Sequence, residues 1–292
     1  MAEVNNLIFE VGVDDLRDPC VLFENGTYYM YGTGWVCRHS KSMRGPWSDT
    51  INVVSIPEDA GDCFWAPEVH KYNGAYYMFT TYLSKTTGHR GCTIMKADNP
   101  LGPFVEISNG HITPKEWDSI DGTFYVDENG KPWMVFVHEW TSMPDSNGSF
   151  AAAMLSDDLT KFVSEPVDLF KARDVDWATM GVTDGCWIYK CKDGSLIMLW
   201  SNFSEYGYVV ATAKSESGNI LGPWVHSKEL LYKKNSHRNY DGGHGMLFTA
   251  DDGNMYLSFH SPNDGSNEKR TTTVFALAEE KDGELHLSFM DK

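Results

Sequence analysis

Apolar positions along this chain come in short runs broken by Gly, Pro, Asn and Asp, and no helical periodicity lasts longer than two turns. Five segments share one pattern: RDPCVLFENGTYYMYGTG (17–34), WAPEVHKYNGAYYMFTTY (65–82), IDGTFYVDENGKPWMVFVHE (120–139), TDGCWIYKCKDGSLIMLWSN (183–202) and DGGHGMLFTADDGNMYLSFH (241–260). Each opens on a polar or acidic group beside Pro or Gly. A β-type run follows, then a turn ending in Gly26, Gly74, Gly130, Gly194 or Gly253, then a second run rich in aromatic and β-branched residues. Asn-Gly and Asp-Gly between two such runs predict hairpins, because primed turns need positive φ. Third strands are predicted at 91–98, 149–158, 208–217 and 271–280. Fourth strands are predicted around the Gly-Pro-aromatic triplets at 45–47, 102–104 and 222–224, with 158–166 standing in for the third unit. Four strands repeated five times predict an all-β, five-bladed β-propeller with four antiparallel strands per blade, read as a single domain over 1–292.

A net charge of −17, with no Lys/Arg run to offset it, argues against nucleic acid as a partner. No apolar stretch is long enough for a membrane span, and nothing points to an obligatory protein partner. The aromatic load, 10 Trp, 14 Tyr and 15 Phe, suits a cleft that stacks flat, partly apolar ligands. Cys20, Cys37, Cys63, Cys92, Cys186 and Cys191 are scattered and form no CxxC pair, so they read as small buried hydrophobes. MAEVNNLIFEVG lacks a basic region followed by an apolar one. The chain therefore reads as cytoplasmic, or as secreted or periplasmic with its leader already removed.

In a propeller the first strand of each blade lines the central channel, so the starts of those strands converge. They carry Asp18, Glu68 with Trp65, Asp121, Asp184 and His244. Four acids and a histidine around one funnel are costly unless they act on a ligand or hold a metal, because like charges raise each other's pKa. Interaction propellers have no need of such a set.

At these residues the sequence resembles glycoside hydrolase family 43, five-bladed propellers that hydrolyse arabinose- and xylose-containing plant polysaccharides with inversion. The resemblance runs blade by blade over essentially the whole chain, through RDP (Asp18), WAPE (Glu68), SIDGTFY (Asp121) and GGHG (His244). Invertase-like propellers also carry RDP, but their WMNDPNG start and Glu-Cys motif are missing here. The resemblance implies a carbohydrate substrate with terminal arabinofuranosyl, xylosyl or galactosyl units. It implies Asp18 as general base, Asp121 as the modulator of the acid's pKa, a hydrated Ca²⁺ in the channel near His244, no organic cofactor, and Arg270 as a sugar contact. An inverting glycosidase needs one carboxylate to activate water and one carboxylic acid to protonate the leaving oxygen.

The family's acid is a Glu before Gly, and here that position holds Asp184, one methylene shorter. Three readings stand. Asp184 is the acid; or Glu139, in the aromatic setting FVHEW, replaces it; or the propeller binds carbohydrate without hydrolysing it. Trp35, Phe64, Trp65 and Trp140 lie near funnel ends of strands and are the candidate sugar platforms.

Overall fold

A computed structural model describes residues 8–288 except His237. Its 21 strands form five antiparallel sheets, with no helix among the described residues. The strand that comes first in the chain, β1 (Ile8–Asp14), belongs to the last blade. Blade I is β2 (Cys20–Glu24), β3 (Thr27–Gly32), β4 (Val36–Ser40) and β5 (Ile51–Asn52). Blade II is β6 (Ala60–Tyr72), β7 (Ala75–Ser84), β8 (Arg90–Ala97) and β9 (Val105–Glu106). Blade III is β10 (Ser119–Val126), β11 (Pro132–His138), β12 (Ser149–Met154) and β13 (Val167–Lys171). Blade IV is β14 (Asp184–Lys190), β15 (Leu196–Ser204), β16 (Gly207–Ser215) and β17 (Val225–His226). Blade V is β18 (Gly243–Thr249), β19 (Met255–Ser261) and β20 (Thr272–Lys281). The outer edge of β20 is shared: β1 pairs with its first half and β21 (Glu284–Leu287) with its second. The propeller and its four-stranded blades are as predicted. Closure of blade V by the N-terminal strand was not visible in the repeat.

The Gly-Pro-aromatic triplets precede the outer strands β5, β9 and β17 instead of forming them. In each, a left-handed glycine (Gly45, Gly102, Gly222) is followed by a proline with no N–H for a ladder, so the triplet turns the chain toward the outer edge.

Five apolar clusters occupy the five junctions between neighbouring blades. Tyr31, Met78 and Phe104 fill the junction of I with II, Phe79, Met134 and Phe136 that of II with III, and Phe150, Met198 and Trp200 that of III with IV. Leu199, Leu257 and Phe259 fill that of IV with V, and Tyr28, Phe248 and Phe275 that of V with I. Burying both faces of each sheet in this way places the polar strand starts at the hub.

Four of the five first strands share one interruption. The ladders skip two residues after Trp65, Ile120, Asp184 and Gly243, and the next residue is left-handed: Ala66, Asp121, Gly185 and His244, with φ of 43°, 54°, 59° and 54°. Asp18, two residues ahead of the first β2 pair, has φ 53° and is their counterpart. An extra residue of this kind bends a strand and re-aims its side chains.

Candidate active site

The repeated bulge sorts the hub residues into three tiers. Arg17, Trp65, Ile120 and Asp184 stand just ahead of the bend, and Asp18, Asp121 and His244 stand on it. All seven line one cavity of ≈ 420 Å³ together with Glu139, Trp140, Tyr208, His260 and Asn263. Glu68, two residues past Ala66, falls one tier deeper. It is 2% exposed, lies outside this lining, and its Oε2 meets His70 Nε2 at 3.0 Å. Asp184 and Asp121, aligned in the repeats, are therefore offset by one residue. Gly185 is the true counterpart of Asp121, and its N–H donates to Asp121 Oδ2 at 2.8 Å.

Asp18 is held from several sides. His244 Nδ1 lies 3.2 Å and His260 Nδ1 3.3 Å from its Oδ1, and Thr33 donates a short hydrogen bond to Oδ2. The backbone N–H of Asp18 donates to His260 Nδ1 at 3.2 Å. Behind it, His260 Nε2 meets Asn263 Oδ1 at 2.9 Å, and Arg17 donates to both oxygens of Asn263 at 2.7 Å. Burial opposes ionisation of Asp18, but the two histidines and Thr33 outweigh it and hold this carboxyl well below the usual range.

Its neighbours go the other way. Burial first, then the charge of Asp18, pushes Asp121 well above the ordinary carboxyl value. Burial and Asp121 push Asp184 up to about 8, against the hydroxyl of Tyr208, which donates to Asp184 Oδ2 at 2.9 Å. Burial also raises Glu139, opposed by Arg90, whose Nε donates to Glu139 Oε2 at 2.5 Å. One cavity thus sets a carboxyl group biased toward its charged form beside others biased toward the neutral form, the complement that acid–base hydrolysis requires.

Two of the four expected platforms reach the cavity. Trp65 and Trp140 line it and are 36% and 40% exposed. Trp35 does not. Its left-handed backbone at the β3–β4 turn sends the indole inward, 3% exposed, to donate to Thr80 Oγ1, and Phe64 covers it at 4.6 Å between ring centres. Arg270 is also outside the lining, because its exposed side chain pairs with Asp15. The arginine of the cavity is Arg17, whose only sequence signal was its place beside Asp18 in RDP. Tyr208, His260 and Asn263 come from later strands and loops of their blades, to which the strand-start pattern gave no pointer.

Residues 11–284 match the profile of Glycosyl hydrolases family 43, and the chain belongs to this family of glycosidases. It is 24% identical over 283 residues to the extracellular exo-α-(1→5)-L-arabinofuranosidase of Cellvibrio japonicus, covering 85% of this chain and 79% of that protein. It is 34% identical over 235 residues to a probable arabinan endo-1,5-α-L-arabinosidase C of Aspergillus niger, covering 70% and 68%. An endo-arabinase structure from Bacteroides thetaiotaomicron VPI-5482 superimposes with a TM-score of 0.84 at 35% identity, covering 96% of this chain and 99% of that one.

Proposed function

We propose that this glycosidase hydrolyses α-L-arabinofuranosidic bonds of arabinan-type plant polysaccharide or its oligosaccharides, with inversion at the anomeric carbon. The sugar assignment rests on the arabinan-acting relatives. The observation that carries the mechanism is the placement on one cavity of Asp18, held by His244, His260 and Thr33, and of Asp184, which accepts from Tyr208. Asp18 takes a proton from water as the water oxygen attacks the anomeric carbon. The bond to the leaving oxygen breaks, and Asp184 gives that oxygen its proton. Asp121, buried beside both, keeps Asp184 protonated. Trp65 and Trp140 stack the apolar faces of the sugars.

The acid is assigned to Asp184 and not Glu139 because the Arg90–Glu139 contact is the pairing of a guanidinium with a carboxylate, and a proton donor would forfeit it. Glu139 then serves as an acceptor for sugar hydroxyls. Against the reading as a purely binding propeller, the shorter side chain still lines the cavity and accepts from Tyr208.

A hydrated Ca²⁺ beside His244 also belongs to this reading. His244 Nε2 is buried without a hydrogen-bond partner, which suits contact through water, and no group of three or more His, Cys, Asp or Glu among the described residues is arranged to hold an ion directly. When bound, it would add positive charge beside His244.

The test is hydrolysis of arabinan, arabino-oligosaccharides and aryl α-L-arabinofuranosides by the native enzyme and by Asp18→Asn, with proton NMR of the first product. Turnover by the native enzyme alone, releasing the inverted anomer, is expected. Equal turnover by Asp18→Asn, or initial retention, would overturn the assignment.

A further inference from the structure

The hydroxyl that meets Asp184 belongs to a tyrosine whose position is set from four directions. Tyr208 is 3% exposed on β16. Its N–H donates to Asp241 Oδ2 at 3.0 Å, and its carbonyl accepts from Gly242 N at 3.0 Å. Its ring is stacked with His260, 5.8 Å between centres and 19° between planes, and Phe203 packs beside it at 5.0 Å. The ring also occupies the space that a side chain at residue 243 would need. A Cβ on Gly243 would come within 2.5 Å of Tyr208 Cε1 and 2.9 Å of Ser201 Oγ. Gly243 holds in blade V the register that Asp184 holds in blade IV. A gap in one strand start therefore admits the ring that reaches the acid on the other.

We propose that Tyr208 is the positioning residue of the general acid: by donating to Oδ2 of Asp184 it turns the short carboxyl so that Oδ1 carries the proton toward the leaving oxygen. This rests on Asp184 being the acid. As the glycosidic bond breaks, the proton on Oδ1 passes to the departing oxygen, and the hydroxyl of Tyr208 keeps its own proton while bonding the carboxylate left behind. Aspartate has one side-chain torsion fewer than glutamate with which to find the leaving group, and a fixed donor on the far oxygen removes the remaining freedom. Tyr208 itself stays neutral, because burial and the acids around it push its hydroxyl well above the ordinary tyrosine value.

Leaving-group dependence separates this role from a structural one. A phenoxide leaving group needs the proton, whereas para-nitrophenoxide departs with little help. With phenyl and para-nitrophenyl α-L-arabinofuranosides, Tyr208→Phe is expected to lower kcat about a hundredfold on the first and less than about threefold on the second, with KM near native on both. Gly243→Ala, which keeps the hydroxyl but displaces the ring, is expected to show the same selectivity, and thermal unfolding reports whether each variant is folded. Equal losses on the two substrates, or none, would overturn the proposal. Asp184→Asn is measured alongside. If it lowers both substrates alike, the acid assignment fails and the tyrosine's role with it. If Asp184→Asn is selective and Tyr208→Phe is not, only the tyrosine's role fails.

Discussion

Asp18 and Asp184 carry the same functional group, and their surroundings drive them to opposite states. Both are buried. Asp18 faces His244, His260 and the hydroxyl of Thr33, which favour its charge, whereas Asp184 faces Asp121 and more distantly Glu139, which oppose it. With Asp184 as the proposed acid, active only when protonated, kcat/KM is expected to fall about tenfold per pH unit above an apparent pKa near 8, measured on a phenyl arabinofuranoside. The same shift bears on stability. Asp184 is raised in the folded protein, so its contribution is complete below the ordinary value of 3.8 and is lost as pH rises from there to about 8. Asp184→Asn cannot ionise. Its melting temperature is expected to match the native protein near about pH 4 and to exceed it by about 5 °C near about pH 8, measured by circular dichroism. Equal melting temperatures at both pH values would show that Asp184 titrates normally.

At the level of the strand, the hub is shaped by a left-handed residue repeated at the first-strand start of every blade. The left-handed residue presents Asp18, Asp121 and His244 to the hub, and in blade IV that place falls to Gly185, leaving the carboxylate one residue earlier. A Cβ at Gly185 would stand 2.9 Å from His244 Cγ and 3.0 Å from its Cα. Gly185→Ala is therefore expected to push His244 off Asp18 and cost about a hundredfold in kcat, while calorimetry detects a smaller proportional loss of stability. Unchanged kcat would mean that the His244–Asp18 contact is dispensable. The hub acids were legible in the sequence because each bend needs Pro, Gly or a short polar residue, and those stand out beside an acid. The offset of Asp184 was hidden, since it is set by how β14 pairs with β15 and not by the residues of β14 alone. Trp35 and Arg270 misled for a related reason: nearness to a strand end does not say whether a side chain turns in or out. His260 and Tyr208 are brought to the hub by strands whose inner ends the repeat pattern could not orient.

The whole ring is held shut by β1, whose residues Phe9, Val11 and Val13 are buried in the cluster between blades V and I. Each such side chain contributes about 1.5–3 kcal/mol on burial. A chain lacking residues 1–14 is expected to melt about 10 °C or more below the native protein in calorimetry. An unchanged melting temperature would make β1 an ornament of the edge. The pairing of β1 with β20 has a further consequence during synthesis. Of the described strands, the ribosome releases β1 first and its partner only after 18 others have intervened. Until then the nascent propeller is an open arc, with Asp18 made early and both of its histidines still to come. Emergence of the last blade thus completes the ring and the histidine contacts of Asp18 in one event, and a stalled chain displays neither.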